Sequence, residues 1–204
     1  VPRRVVRDGA ERASSDRQRG DLLRAAEALG ARSIKAGGNY FGAEFDSDRI
    51  AAELAMLGRQ AADAGTRIGL EPVPFADIRT PEMALEVVQK AGNPAVGVYL
   101  DIWHVARAGF DFESLSAIPV TAIVGVELDD AAREVRGNLV EDTVNRRRFP
   151  GEGELDVQGF VDAVRRGGYA GPWGVEMLSV EYRQLPVQTA VRAAYTSAAQ
   201  FLAR

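Results

Sequence analysis

Three tetrads of the chain share one frame: Ile68-Gly69-Leu70-Glu71, Val124-Gly125-Val126-Glu127 and Trp173-Gly174-Val175-Glu176. Each reads apolar residue, glycine, apolar residue, acid. The run Gly97-Val98-Tyr99-Leu100-Asp101 also closes on an acid. Successive side chains of a strand face opposite ways, so glycine and acid share one face and the apolar pair takes the other. The pattern predicts four strands ending in Glu71, Asp101, Glu127 and Glu176 on one inner face. The glycines leave room one layer below the carboxylates. A lone acid at a strand end is ordinarily solvated, whereas four in one frame point to a site.

Carboxylate oxygens are hard ligands that suit Mg²⁺ or Mn²⁺. Four of them, gathered without a cation, cannot all stay ionised, so a metal or raised pKa values must compensate. A cation in such an all-oxygen cage keeps positions open for a substrate's hydroxyl and carbonyl oxygens, and chelation acidifies the carbon beside the carbonyl. One glutamate can then remove that proton and another return or redirect it. This step is common to sugar isomerisation, epimerisation and β-elimination of water. His104, the only histidine, follows Asp101 by three residues. Its place at the strand rim favours contact with substrate oxygens, and the alternative is packing beside Trp103. Arg147, next to a Pro-Gly turn, is permanently charged and could grip a substrate oxygen or carboxylate. Arg146 and Arg148 compete for that role, and Lys35 and Arg79 are weaker candidates.

The elements that must position these residues alternate. Residues 1–20 are charged and weakly patterned, with Val5 and Val6 as the tail of an element. A helix follows from Asp21 to Leu29, then a strand over 31–36 and the loop Gly37-Gly38-Asn39. Ser47 or Asp48 caps a helix to about Ala64. After the strand to Glu71, Thr80-Pro81-Glu82 starts a helix, with a capping hydroxyl and a proline in the first turn. The strand to Asp101 leads to a short helix near Phe112–Ser116. The strand over 122–128 opens into a long polar loop over 131–155. Asp156 caps a helix to Arg166, the strand to Glu176 follows, and a last helix spans about Val187 to Leu202.

Strand-helix alternation predicts an α/β fold with a parallel sheet, and such sheets place sites at strand C-terminal ends, in barrels above all. Five strand segments fall short of the eight that close a (β/α)8 barrel. The expected fold is therefore a single domain over 1–204, a barrel truncated at its N-terminus by three strands, with 1–20 as its lead-in. An open doubly wound sheet is the alternative, but no glycine-rich phosphate loop follows a first strand. A net charge of −4 argues against a nucleic-acid groove. No apolar run approaches the roughly 20 residues that span a bilayer. The absence of cysteine rules out disulfides and thiolate metal sites and agrees with a cytoplasmic setting. An incomplete barrel exposes apolar surface and strand edges, so a homo-oligomer is expected.

The segments Leu70-Glu71-Pro72, Asp101-Ile102-Trp103-His104, Glu127-Leu128-Asp129-Asp130, Arg147-Arg148-Phe149-Pro150-Gly151-Glu152-Gly153 and Val175-Glu176 resemble the xylose isomerase-like TIM-barrel superfamily. Within it they look most like the sugar phosphate isomerase/epimerase group, which includes ketose 3-epimerases and inosose dehydratases. The resemblance covers about residues 20–204. It implies that Glu71, Asp101 and Glu176 are metal ligands and that Glu71 and Glu176 are the acid/base pair. It also implies that His104 and Arg147 bind substrate. The family usually has histidine where Glu127 stands, in a His-x-x-Asp pattern of which Asp130 matches the end. With a carboxylate at position 127 the expected cation is Mn²⁺ or Mg²⁺, with Co²⁺ or Zn²⁺ next. The expected function is a divalent-metal-dependent isomerase or epimerase of a sugar or polyol. A lyase dehydrating a keto-inositol or a dehydroshikimate-like acid, and a non-catalytic binding subunit, are the alternatives.

Overall fold

The computed structural model describes residues 3–4, 9–40 and 44–203. Its strands are β1 (Arg3–Arg4), β2 (Ser33–Gly37), β3 (Arg67–Glu71), β4 (Val96–Asp101), β5 (Ile123–Leu128) and β6 (Trp173–Val175), in the sheet order β1-β2-β3-β4-β5-β6. The pairs β1–β2, β2–β3, β3–β4 and β5–β6 are parallel. All five expected strands are present, and the two-residue β1 adds a sixth. The expectation for Val5 and Val6 falls outside the described residues. The chain divides into two compact units, Val1–Leu100 with Ile118–Gly125, and Asp101–Ala117 with Val126–Arg204.

In the first unit, α1 (Gly9–Leu29) starts well before the expected Asp21, so most of the supposed lead-in is helix. The physical reason is charge. Arg12 pairs with Asp16 one turn on at 3.1 Å and with Glu53 at 2.8 Å, and Arg19 pairs with Asp16 at 3.0 Å. Ion pairs rather than an apolar stripe mark this helix, and a search for hydrophobic periodicity passes over it. Helix α2 (Ser47–Asp63) is capped by Asp46, whose carboxylate accepts from the Arg49 amide at 3.0 Å, and not by the expected Ser47 or Asp48. It buries Ile50, Ala51, Leu54, Gly58 and Ala61, a single helical face, and packs on β3 and on α3 (Pro81–Ala91). Helix α3 has the expected Thr80 cap and Pro81 start.

The glycines of the repeated frame have a definite tenant. Tyr99 projects from the middle of β4. A Cβ on Gly69 would lie 2.6 Å from Tyr99 Cδ2, and one on Gly125 would lie 2.4 Å from Tyr99 Cε2. The room below the strand-end acids is therefore the seat of one aromatic ring laid against its two neighbouring strands. Lys35 of β2 places its Nζ 5.1 Å from the centre of that ring.

In the second unit, α4 (Ile102–Arg107) begins as β4 ends, and a 3-10 turn over Phe112–Ala117 stands where a short helix was expected. The long loop contains a further helix, α5 (Leu139–Asn145). Helix α6 (Val157–Arg166), capped by Asp156, packs on the 3-10 turn and on α7 (Val187–Leu202), with Phe112 and Phe160 edge to face at 5.3 Å. Strands β5 and β6 pair with Glu127 opposite Gly174. Trp103, Ile102, Leu115, Leu128, Phe160 and Val161 are fully buried and form the core here.

Candidate metal centre

Asp101 has two structural duties. It is the last residue of β4 and the N-cap of α4, its Oδ1 accepting from the His104 amide at 3.0 Å. The Asp-x-x-His spacing is thus a helix cap: the capping bond to the third helical residue fixes the backbone that carries the imidazole. His104 is buried, edge-on to Trp103 at 5.1 Å. The Trp103 indole donates to Asp142 at 2.9 Å, and the same carboxylate oxygen accepts from Arg107 Nε at 2.9 Å. Of the two alternatives for His104, packing beside Trp103 is the one this contact describes.

Arg147 is the one buried member of the Arg146-Arg147-Arg148 trio. Arg146 bridges to Ser179 and Arg148 to Asp130, so the segment is extended and Arg147 faces away from both neighbours. Its Nη1 donates to Asp101 at 2.7 Å and to Asp129, and lies 3.4 Å from Glu176 Oε2. Its Nη2 donates to Thr143 Oγ1 at 2.8 Å and contacts His104 Nε2 at 3.2 Å. A guanidinium only donates, so in a hydrogen bond across that contact Nε2 is the acceptor. The guanidinium carbon lies 5.4 Å from the Trp103 ring centre. Burial opposes the charge of Arg147, and the carboxylates of Asp101, Asp129 and Glu176 outweigh it, so the guanidinium is held protonated.

Asp129 is the residue that the sequence reading missed. It is fully buried, and its Oδ1 has no hydrogen-bond partner among the described residues. Burial pushes its carboxyl well above the usual range, opposed by Arg147 and assisted by the charge of Asp101. It lies one residue past β5, where strand alternation no longer assigns a face, beside an acid that looks identical in sequence. That neighbour, Asp130, has another task. Its carboxylate accepts from the amides of Ala131, Gly151, Gly153 and Leu155 at 2.8 to 3.0 Å and so ties down the Pro-Gly-x-Gly loop.

Asp101, His104 and Glu176 each offer a ligand atom, and these atoms lie within 4.8 Å of one another. Glu127 is not among them. It is half-buried on β5, with its Cγ 3.0 Å from where a Cβ on Gly174 would stand. Glu71, in the first unit, is fully buried at the end of β3 and accepts from Lys35 Nζ at 2.9 Å. Arg79 is exposed. The donor set suits a divalent cation on chemical grounds. Three carboxylates around Arg147 carry three negative charges when ionised against one positive charge, an excess of two. Oxygen donors with one imidazole accommodate Mg²⁺, Mn²⁺ or Zn²⁺ alike.

Among known proteins, the family model described as xylose isomerase-like TIM barrel matches residues 5–203. A 3-dehydroshikimate dehydratase of Pseudomonas putida is 31% identical over 144 residues, which are 70% of this chain and 22% of that enzyme. An inosose isomerase of Halalkalibacterium halodurans is 27% identical over 143 residues, 69% of this chain and 50% of that protein. The chain therefore spans half or less of the length of these two relatives. Among solved structures, the IOLI protein with a bound zinc atom superposes with a TM-score of 0.84 at 23% identity, over 96% of this chain and 72% of that one. It supports the fold. No helix among the described residues is long and apolar enough to cross a membrane.

Proposed function

Because the chain belongs to the xylose isomerase-like TIM barrel family, we propose that it is a divalent-cation-dependent isomerase or epimerase. Its substrate is a sugar or polyol, and its reaction is proton transfer next to a carbonyl. The observation that carries this reading is the gathering of Asp101, His104 and Glu176 ligand atoms within 4.8 Å, with an excess of negative charge around them. Asp101 and Glu176 hold the cation, and Glu71 joins them from the end of β3. A bound cation polarises the substrate carbonyl and so acidifies the neighbouring C–H. Glu71 and Glu176 take and return the proton, and a pair of carboxylates on opposite faces of a planar intermediate suffices for that. His104 and Arg147 bind substrate oxygens. Glu127 is not among those gathered atoms, and its proposed part is to add a hard carboxylate that favours Mn²⁺ or Mg²⁺ over Zn²⁺ and Co²⁺. We further propose that the chain acts as part of a single barrel domain in the cytoplasm. We also propose that it forms a homo-oligomer, a state that light scattering reads.

A dehydratase is the second reading, favoured by the 31% identity to the Pseudomonas putida enzyme. Both reactions start with the same proton abstraction and part on whether a β-hydroxyl leaves. The test is incubation with Mn²⁺ and a panel of ketohexoses, keto-inositols and 3-dehydroshikimate, followed by mass analysis. Conversion at constant mass, abolished by EDTA, is the expected result. Loss of one water selects the lyase. Binding without conversion selects a non-catalytic role, and conversion that survives EDTA overturns the metal-dependent reading.

A further inference from the structure

Arg147 stands on the carboxylates assigned above to the cation. Its Nη1 is 2.7 Å from Asp101 Oδ2 and 3.4 Å from Glu176 Oε2. A cation at ligand distance from both oxygens and a guanidinium nitrogen in the same place exclude each other. A third carboxylate, Asp129, also bonds Nη1, while Thr143 Oγ1 accepts from Nη2 at 2.8 Å and from Nε at 3.2 Å. Charge divides along the same line when all three are ionised: Asp101 and Glu176 together match a divalent cation, and Asp129 alone matches Arg147, whose charge opposes the effect of burial on that carboxylate. Asp129 is fully buried and its second oxygen has no partner among the described residues, so a second donor nitrogen of the guanidinium has an acceptor ready. Glu176 is the most accessible of the three, its side chain 24% exposed, which gives a cation its approach.

We propose that Arg147 is the resident counter-cation of Asp101 and Glu176, that a divalent cation takes those two carboxylates from it, and that Asp129 with Thr143 retains the displaced guanidinium. The proposal rests on the metal-centre reading and adds to it an exchange and a role for Asp129. Asp129 is a positioning residue, acting on the cation through Arg147. The exchange makes the empty centre stable without metal, because a buried carboxylate cluster left without a positive charge is costly. It also frees the guanidinium from Asp101 when the cation arrives.

The test is isothermal titration of Mn²⁺ into the wild-type chain, R147M, D129N and the double variant. Removing the competitor tightens Mn²⁺ binding in R147M by roughly tenfold or more, within the usual range of coupling between sites. D129N leaves Arg147 only Asp101 and Glu176 as carboxylate partners, so Mn²⁺ binds more weakly. In the R147M background the D129N change has no further effect, because the coupling is through Arg147. Equal or weaker binding in R147M overturns the exchange. An equal D129N effect in both backgrounds makes Asp129 a ligand of the cation and overturns its retaining role. D129N keeps the Arg147–Asp101 bond and carries the test if R147M does not fold, with unchanged affinity as the contrary result. If neither the wild type nor R147M binds Mn²⁺, the metal-centre reading itself fails. Binding in the wild type that is unaltered in R147M defeats the exchange alone.

Discussion

Asp142 shows how a single buried carboxylate can set a site that it does not enter. It accepts from the Trp103 indole, from Arg107 Nε and from the Arg136 amide at 2.8 to 2.9 Å. It and Arg107 are almost wholly buried, and Trp103 forms the wall against which both His104 and Arg147 rest. Asp142→Ala leaves a buried guanidinium without its counter-charge, and we predict a loss of about 3–5 kcal/mol in urea unfolding. A loss below about 1 kcal/mol, the scale of a surface pair, would contradict this role. At the residue scale the sequence exposes Asp101 and Glu71 because strand alternation gives them a face, and Glu176 because it closes the same repeated tetrad. It does not separate Asp129 from Asp130, or Arg147 from its two neighbours. Those choices are made by backbone bridges between segments distant in sequence, Asp130 to Arg148 and Arg146 to Ser179.

At the scale of elements, the strand frame carries a stability prediction of its own. Gly69 and Gly125 are required because Tyr99 lies across both, with an added Cβ at Gly125 also only 2.7 Å from Tyr99 Cζ. Gly125→Ala overpacks this seat, and a cost of about 1–3 kcal/mol is expected by chemical denaturation. In a Tyr99→Ala background most of that cost disappears, since the two changes share one contact. The same cost in both backgrounds would mean that the glycine serves its own backbone and not the ring. The repeated glycines were legible as space, while their tenant was not, because a tyrosine in the middle of an apolar strand looks like any core residue. Helices with apolar faces, α2, α3, α6 and α7, were legible nearly to their ends. Helices α4 and α5, of six and seven residues, are too short to display a period. They are held instead by the caps Asp101 and Asn138 and by the Asp142 hub.

On the scale of the whole molecule, the proposed function depends on where a divalent cation binds. The parallel sheet was legible from strand-helix alternation, and the family match to residues 5–203 agrees with it. The most direct measurement is anomalous diffraction from crystals of the chain grown with Mn²⁺. The expected result is one strong peak with Asp101 and Glu176 carboxylate oxygens at about 2.0–2.6 Å, a distance range of hard cations with oxygen ligands. A peak elsewhere on the chain, or none at these carboxylates at saturating Mn²⁺, would contradict it.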